Sequence, residues 1–131
     1  MVAILLDYNI TGYADRLRST FHSENWSELV PVEFLTFNDI ALPFETSDRD
    51  VWRLVQDRRI ILLTGNRNSE GQDSLGVTIK KENSPDSLPV LTVGRQDDLA
   101  LKSYRIKCVA RLVAIVLDLS NFRGVGRLFI P

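Results

Sequence analysis

The stretch that decides the fold is "RRIILLTGNRNSEGQD", Arg58 to Asp73. Its first part, "RIILLT" (Arg59–Thr64), is an apolar run without alternation. A short run of that kind suits a strand covered on both faces, the usual state of a strand inside a parallel sheet. Its second part is a polar loop that offers Thr64, Asn66, Asn68, Glu70 and Asp73 in quick succession. Such a loop has two readings. It is a metal-binding loop that has lost acids, or it is a turn made of residues that favour turns anyway.

Working outward, "VAILL" (Val2–Leu6) is a second continuous apolar run, and it ends at Asp7. "LVPVEFLTF" (Leu29–Phe37) reads as a strand whose first residues are weakened by Pro31. "VLTV" (Val90–Val93) reads as a short strand closed by Gly94, and "GRLFIP" as a last strand. Helical patterns lie between them. In "TGYADRLRSTFHS", Ala14, Leu17 and Phe21 share one side, with Thr11 near the start. "SDRDVWRLVQDRR" opens with Ser47 three residues before Asp50, which approximates a capping box ahead of Val51, Leu54 and Val55. Ser69 to about Asn83 reads as a further helix, although "GVTIKK" inside it is β-branched. The longest periodic segment runs from Asp97 to about Asn121. Leu99, Ile106, Val109, Leu112, Val113, Val116 and Leu117 line one broad side, and Asp97 and Asp98 stand where acids favour a helix start. "NDIALPFET" reads as a loop or a short helical turn. Strands alternating with helices predict one α/β domain over residues 1–131, with a mainly parallel sheet.

Composition narrows the function. The chain is 44% hydrophobic and 25% charged, an ordinary balance for a soluble globular protein. No apolar run approaches the roughly 18–20 residues that span a bilayer. The first residues carry no basic region before the apolar run, which predicts a cytoplasmic protein without a signal peptide. A single cysteine, Cys108, excludes an intramolecular disulfide and a C-x-x-C metal site. It falls among apolar positions and reads as a buried thiol. Net charge is -1, but it is unevenly spread. Residues 95–131 hold seven basic residues against three acids, while residues 1–94 hold nine against fourteen. An acidic body with a basic C-terminal segment could pair a cation site with a polyanion-binding face, or could be ordinary solvated surface.

In open parallel sheets, ligands bind beyond the carboxyl ends of the strands. Asp7 and Asn9 follow the first strand, and Thr64, Asn66 and Asn68 follow "RIILLT". Asp48 and Asp50 open the helix before that strand, so they arrive at the same edge. Oxygen ligands from separate segments are what a hard divalent cation needs. Mg²⁺ or Mn²⁺ takes carboxylates plus waters and leaves room for a phosphate. The same residue types are also common in turns and caps.

The order "ILLDYN", then "SDRDVW", then "RIILLTGNRN" resembles the small stand-alone PIN-like domains. In these a strand ends in D-x-N, a later helix opens with S/T-D-x-x-[IV], and a strand runs into T-x-[DN]-x-[DN]. The match covers Val2–Asn68, about half the chain. The resemblance implies a three-layer α/β/α domain whose mainly parallel central sheet has about five strands. It implies a Mg²⁺- or Mn²⁺-dependent ribonuclease, often the toxin of a toxin–antitoxin pair and often a homodimer. It makes Asp7 and Asp48 metal carboxylates and Thr64 a brace for the loop. Asn66 stands where many members have a third carboxylate, and Asn68 at a more variable acidic position. Asp50, Glu70 or Asp73 could supply the charge those asparagines lack, with Asp73 in the same loop or the start of the next helix. RNA would run along basic residues such as Arg67 and Arg95. The alternative is a PIN-like interaction or regulatory module that no longer cleaves.

Overall fold

Every residue of "ILLT" is buried because this segment is enclosed by sheet on both sides and helices on both faces. The computed structural model describes all 131 residues. The strands are β1 (Val2–Leu6), β2 (Val32–Leu35), β3 (Ile61–Thr64), β4 (Val90–Val93) and β5 (Arg127–Ile130). The helices are α1 (Ala14–Ser23), α2 (Asp48–Asp57), α3 (Leu75–Glu82) and α4 (Lys102–Leu117). The five strands form one sheet in the order β2-β1-β3-β4-β5, and every neighbouring pair is parallel. This is a three-layer α/β/α fold.

The two-residue side-chain period of a strand sorts the core into two halves. Ile4, Leu6, Ile61, Leu63, Leu91 and Val93 face α1 and α4. Leu5, Leu62 and Val90 face α2 and α3. β1 and β3 are the sheet's centre, with Leu5 opposite Leu62 and Leu6 opposite Leu63. The units β1–α1–β2 and β4–α4–β5 step in opposite directions across the sheet, yet their helices cover the same face. The two crossovers therefore have opposite hands. The other two units agree in hand with β1–α1–β2, so β4–α4–β5 departs from the uniform hand that such crossovers usually keep.

Two helix boundaries differ from the sequence expectation. The segment from Asp97 is not one helix. Gln96–Ala100 is a short 3-10 helix, Leu101 is extended at φ -90 and ψ 125, and α4 begins at Lys102. Arg105 accounts for the break, since its guanidinium donates to the carbonyls of Leu99 (2.9 Å) and Ala100 (3.0 Å). Leu99 is fully buried, so the apolar spacing runs through the break unaltered. α3 starts at Leu75 rather than near Ser69, because Ser74 caps it by accepting from the Val77 N–H. The expected helix start at Thr11 is also shifted, as Tyr8–Tyr13 is a 3-10 helix and α1 begins at Ala14.

The chain leaves β1 for β2 on one side and returns to β3 on the other. The topological switch point, where open α/β sheets form their ligand crevice, lies between β1 and β3. No helix is long and apolar enough to cross a membrane.

Candidate functional site

Asp7 is the residue at which β1 meets that crevice. Its backbone N–H donates to the Leu63 carbonyl at 2.8 Å, which extends the β1–β3 pairing by one step. Its side chain is held at both oxygens. Oδ1 accepts from the Tyr8 N–H at 2.8 Å, and Oδ2 accepts from the Thr64 hydroxyl at 2.6 Å. Thr64 is fully buried at the end of β3. Its Oγ1 also accepts from the Asn66 N–H at 2.9 Å.

Asn66 carries the connection onward. Its Nδ2 donates to Asp48 Oδ2 at 2.8 Å, and its Oδ1 accepts from the Asn68 N–H at 2.8 Å. The opposite amide orientation would set oxygen against carboxylate and NH₂ against N–H, so these neighbours fix it. Asn68 repeats the motif by accepting from the Glu70 N–H at 3.0 Å. Asp48 is the first residue of α2, where Ser47 caps the helix by accepting from the Asp50 N–H at 3.2 Å. A carboxylate there also faces the positive end of the helix dipole. Asp7 and Asp48 are thus joined through Thr64 and Asn66.

Burial raises the pKa of Asp7 above the ordinary carboxylate value, the hydrogen bonds from Thr64 and Tyr8 lower it, and the charge of Asp48 raises it again. The two carboxylates therefore feel each other. A cation between them relieves both burial and repulsion. Two carboxylates with waters suit one hard divalent ion. Asn66, with its NH₂ toward Asp48, fits as a brace for that carboxylate and not as an oxygen ligand in this rotamer. No group of three or more His, Cys, Asp or Glu side chains is placed to hold a metal.

The remaining candidates divide around this centre. Asp73 pairs with Arg49 at 3.1 Å. With Asp48, Asn68 and Glu70 it lines a depression of about 480 Å³ on the α2 side. Asp50 is exposed, its backbone serving the Ser47 cap. Asn9 reaches Gln96 at 3.4 Å. Arg67 and Arg95 are brought together, since both line a cavity of about 540 Å³ beyond β3 and β4 with Gln96, Asp97 and Asp98. Arg95 pairs with Asp98 at 3.3 Å and lies over the Tyr104 ring. The Gln96 carboxamide packs over Gly65, where an added Cβ would push that side chain aside. Cys108 is buried in α4, and burial pushes its thiol up to about 11, which removes it as a nucleophile at neutral pH.

Sequence reasoning missed Arg127. From the start of β5 its guanidinium donates to the Asn66 carbonyl at 2.8 Å and to Thr92 Oγ1 at 2.6 Å. Burial lowers its pKa. It ties the β3 loop to β4 with no carboxylate as partner. The lone arginine of "GRLFIP" carries no signal for this until the strand order is known. Arg49 was missed for the same reason.

Comparison of the chain with protein-family models, with curated proteins and with solved structures gives no match.

Proposed function

We propose that this chain is a PIN-like, Mg²⁺- or Mn²⁺-dependent ribonuclease that holds one cation between Asp7 and Asp48. The observation that carries the reading is the hydrogen-bonded chain Asp7–Thr64–Asn66–Asp48 at the switch point. It links carboxylates from two segments through hydrogen bonds that hold each of them. When bound, such a cation lowers the pKa of a coordinated water and stabilises the leaving oxygen of a phosphodiester. Asp7 supplies a ligand held against the sheet core, and Thr64 sets its orientation. Asn66 holds Asp48 through its Nδ2. Arg67 and Arg95 neutralise phosphates of the strand, so affinity falls as salt rises. An antitoxin partner and a homodimer belong to the same reading and rest on the resemblance alone.

A second reading has its own support. The Asn66 NH₂ stands against Asp48 where a cation would, so the site holds its shape without metal. On that reading the protein is a PIN-like interaction or regulatory module, since fold does not fix function.

One assay separates the two. The purified protein is incubated with a mixed single-stranded RNA pool, in Mn²⁺ and in chelator. Cleavage in Mn²⁺ that is lost in chelator and in Asp7→Asn supports the enzyme. A wild-type protein that leaves the pool intact in Mn²⁺ rejects it and leaves the module.

A further inference from the structure

Three large aromatic side chains are exposed, Tyr8, Phe44 and Phe129. Two of them meet at the carboxyl edge. The Tyr8 and Phe44 ring centroids are 5.4 Å apart with planes 33° from parallel, and their exposures are 52% and 65%. Neither is on loose chain. Tyr8 opens the 3-10 helix capped by Asp7, and its ring leans on buried Phe37 at 5.9 Å. Phe44 sits in a turn closed twice, because both the N–H and the hydroxyl of Thr46 donate to the Pro43 carbonyl, at 3.1 and 2.7 Å.

These rings come from the two segments that carry the carboxylates. Tyr8 follows Asp7 directly, and Phe44 precedes Asp48 by four residues. The Tyr8 ring leans on Phe37, which follows β2, and the Arg67–Arg95 cavity lies beyond β3 and β4, so Asp7 at the end of β1 falls between the two in the strand order. We infer that Tyr8 and Phe44 form a stacking platform for one unpaired base of a single-stranded RNA whose backbone continues toward Arg67 and Arg95. This rests on the ribonucleic-acid reading above and adds to it the place where one base of the strand is held. Every base has a face to stack, whereas a duplex keeps its faces inside. A protein partner fits the platform less well. Two part-exposed rings fall far short of the roughly 800 Å² per partner of a stable interface.

The test is binding in chelator, so that cleavage plays no part. A single-stranded RNA carrying 2-aminopurine is titrated with wild type, Phe44→Ala, Phe44→Trp and Tyr8→Ala, alongside a polyphosphate that has charge but no bases. The platform predicts quenching of 2-aminopurine by wild type and by Phe44→Trp. It predicts about five- to tenfold weaker RNA binding by either alanine variant, with polyphosphate binding unchanged, which is the loss of one stacked base. Equal RNA affinity of the alanine variants and wild type overturns the platform while leaving the RNA reading intact. No RNA binding by wild type overturns both. A self-association of the wild type that Phe44→Ala abolishes, with RNA affinity unchanged, assigns the rings to a protein contact and also overturns the platform.

Discussion

Asp7 and Asp48 belong to one hydrogen-bonded chain, but the loops that deliver them are built differently. Asp7 leaves a central strand and is gripped by a backbone N–H and by a fully buried hydroxyl. Its position is set by the sheet core. Asp48 opens a helix and is held by one neutral amide from a loop whose asparagines stitch their own backbone together. Its position is set by polar groups near the surface. The difference separates what packing can fix from what single hydrogen bonds must fix. The first carboxylate is anchored by a buried group and the second is braced by Asn66, so both readings of the proposed site turn on that brace.

Breaking the join between the two loops has the largest expected effect. Thr64→Val keeps shape but strips the hydroxyl that serves both Asp7 and the Asn66 N–H. Leaving such groups unpartnered predicts a loss of about 3 kcal/mol in urea unfolding. Asn66→Asp removes the NH₂ from Asp48 and adds a like charge, for a loss of about 2 kcal/mol in chelator. In Mn²⁺ the same variant should recover that stability and bind the ion more tightly than wild type. Ser47→Ala loosens the start of α2 and with it Asp48, at about 1 kcal/mol, the usual value of a helix cap.

A smaller effect is read as a slope against pH. Burial holds the Asp7 carboxyl above the ordinary carboxylate range, so the folded chain binds this proton more readily than the unfolded chain does. Its contribution is fully present below the unfolded pKa and is lost as pH rises through the folded one. In chelator, Asp7→Asn should gain stability relative to wild type as pH rises from about 4 and then level off, a comparison that cancels groups common to both proteins. The smallest effect belongs to the bidentate Arg53–Glu82 pair. The two side chains are 53% and 30% exposed, so Arg53→Ala should lower the unfolding midpoint by less than any variant above.

Much of the fold was legible because its signals are local. "VAILL", "RIILLT" and "VLTV" are apolar without alternation, which marks strands buried on both faces, and all three are in the sheet. Ser47 read as a cap because cap chemistry spans only three residues. The break at Leu101 was hidden, since Leu99 keeps the helical spacing while the break depends on Arg105. The α3 boundary was hidden because asparagines that stitch a loop look like any polar helix start. In the site, Asp7, Asp48, Thr64 and Asn66 were legible as residues that follow strands or open a helix. The direction of the Asn66 amide, the capture of Asp73 by Arg49, and the reach of Arg127 were not. Each depends on which segments the sheet order sets side by side.

The most direct test of a shared cation is calorimetric titration of Mn²⁺ into wild type, Asp7→Asn and Asp48→Asn at neutral pH. The account predicts one Mn²⁺ per wild-type chain and loss of that binding in both variants. Absence of binding by wild type, or binding that survives either substitution, would contradict it.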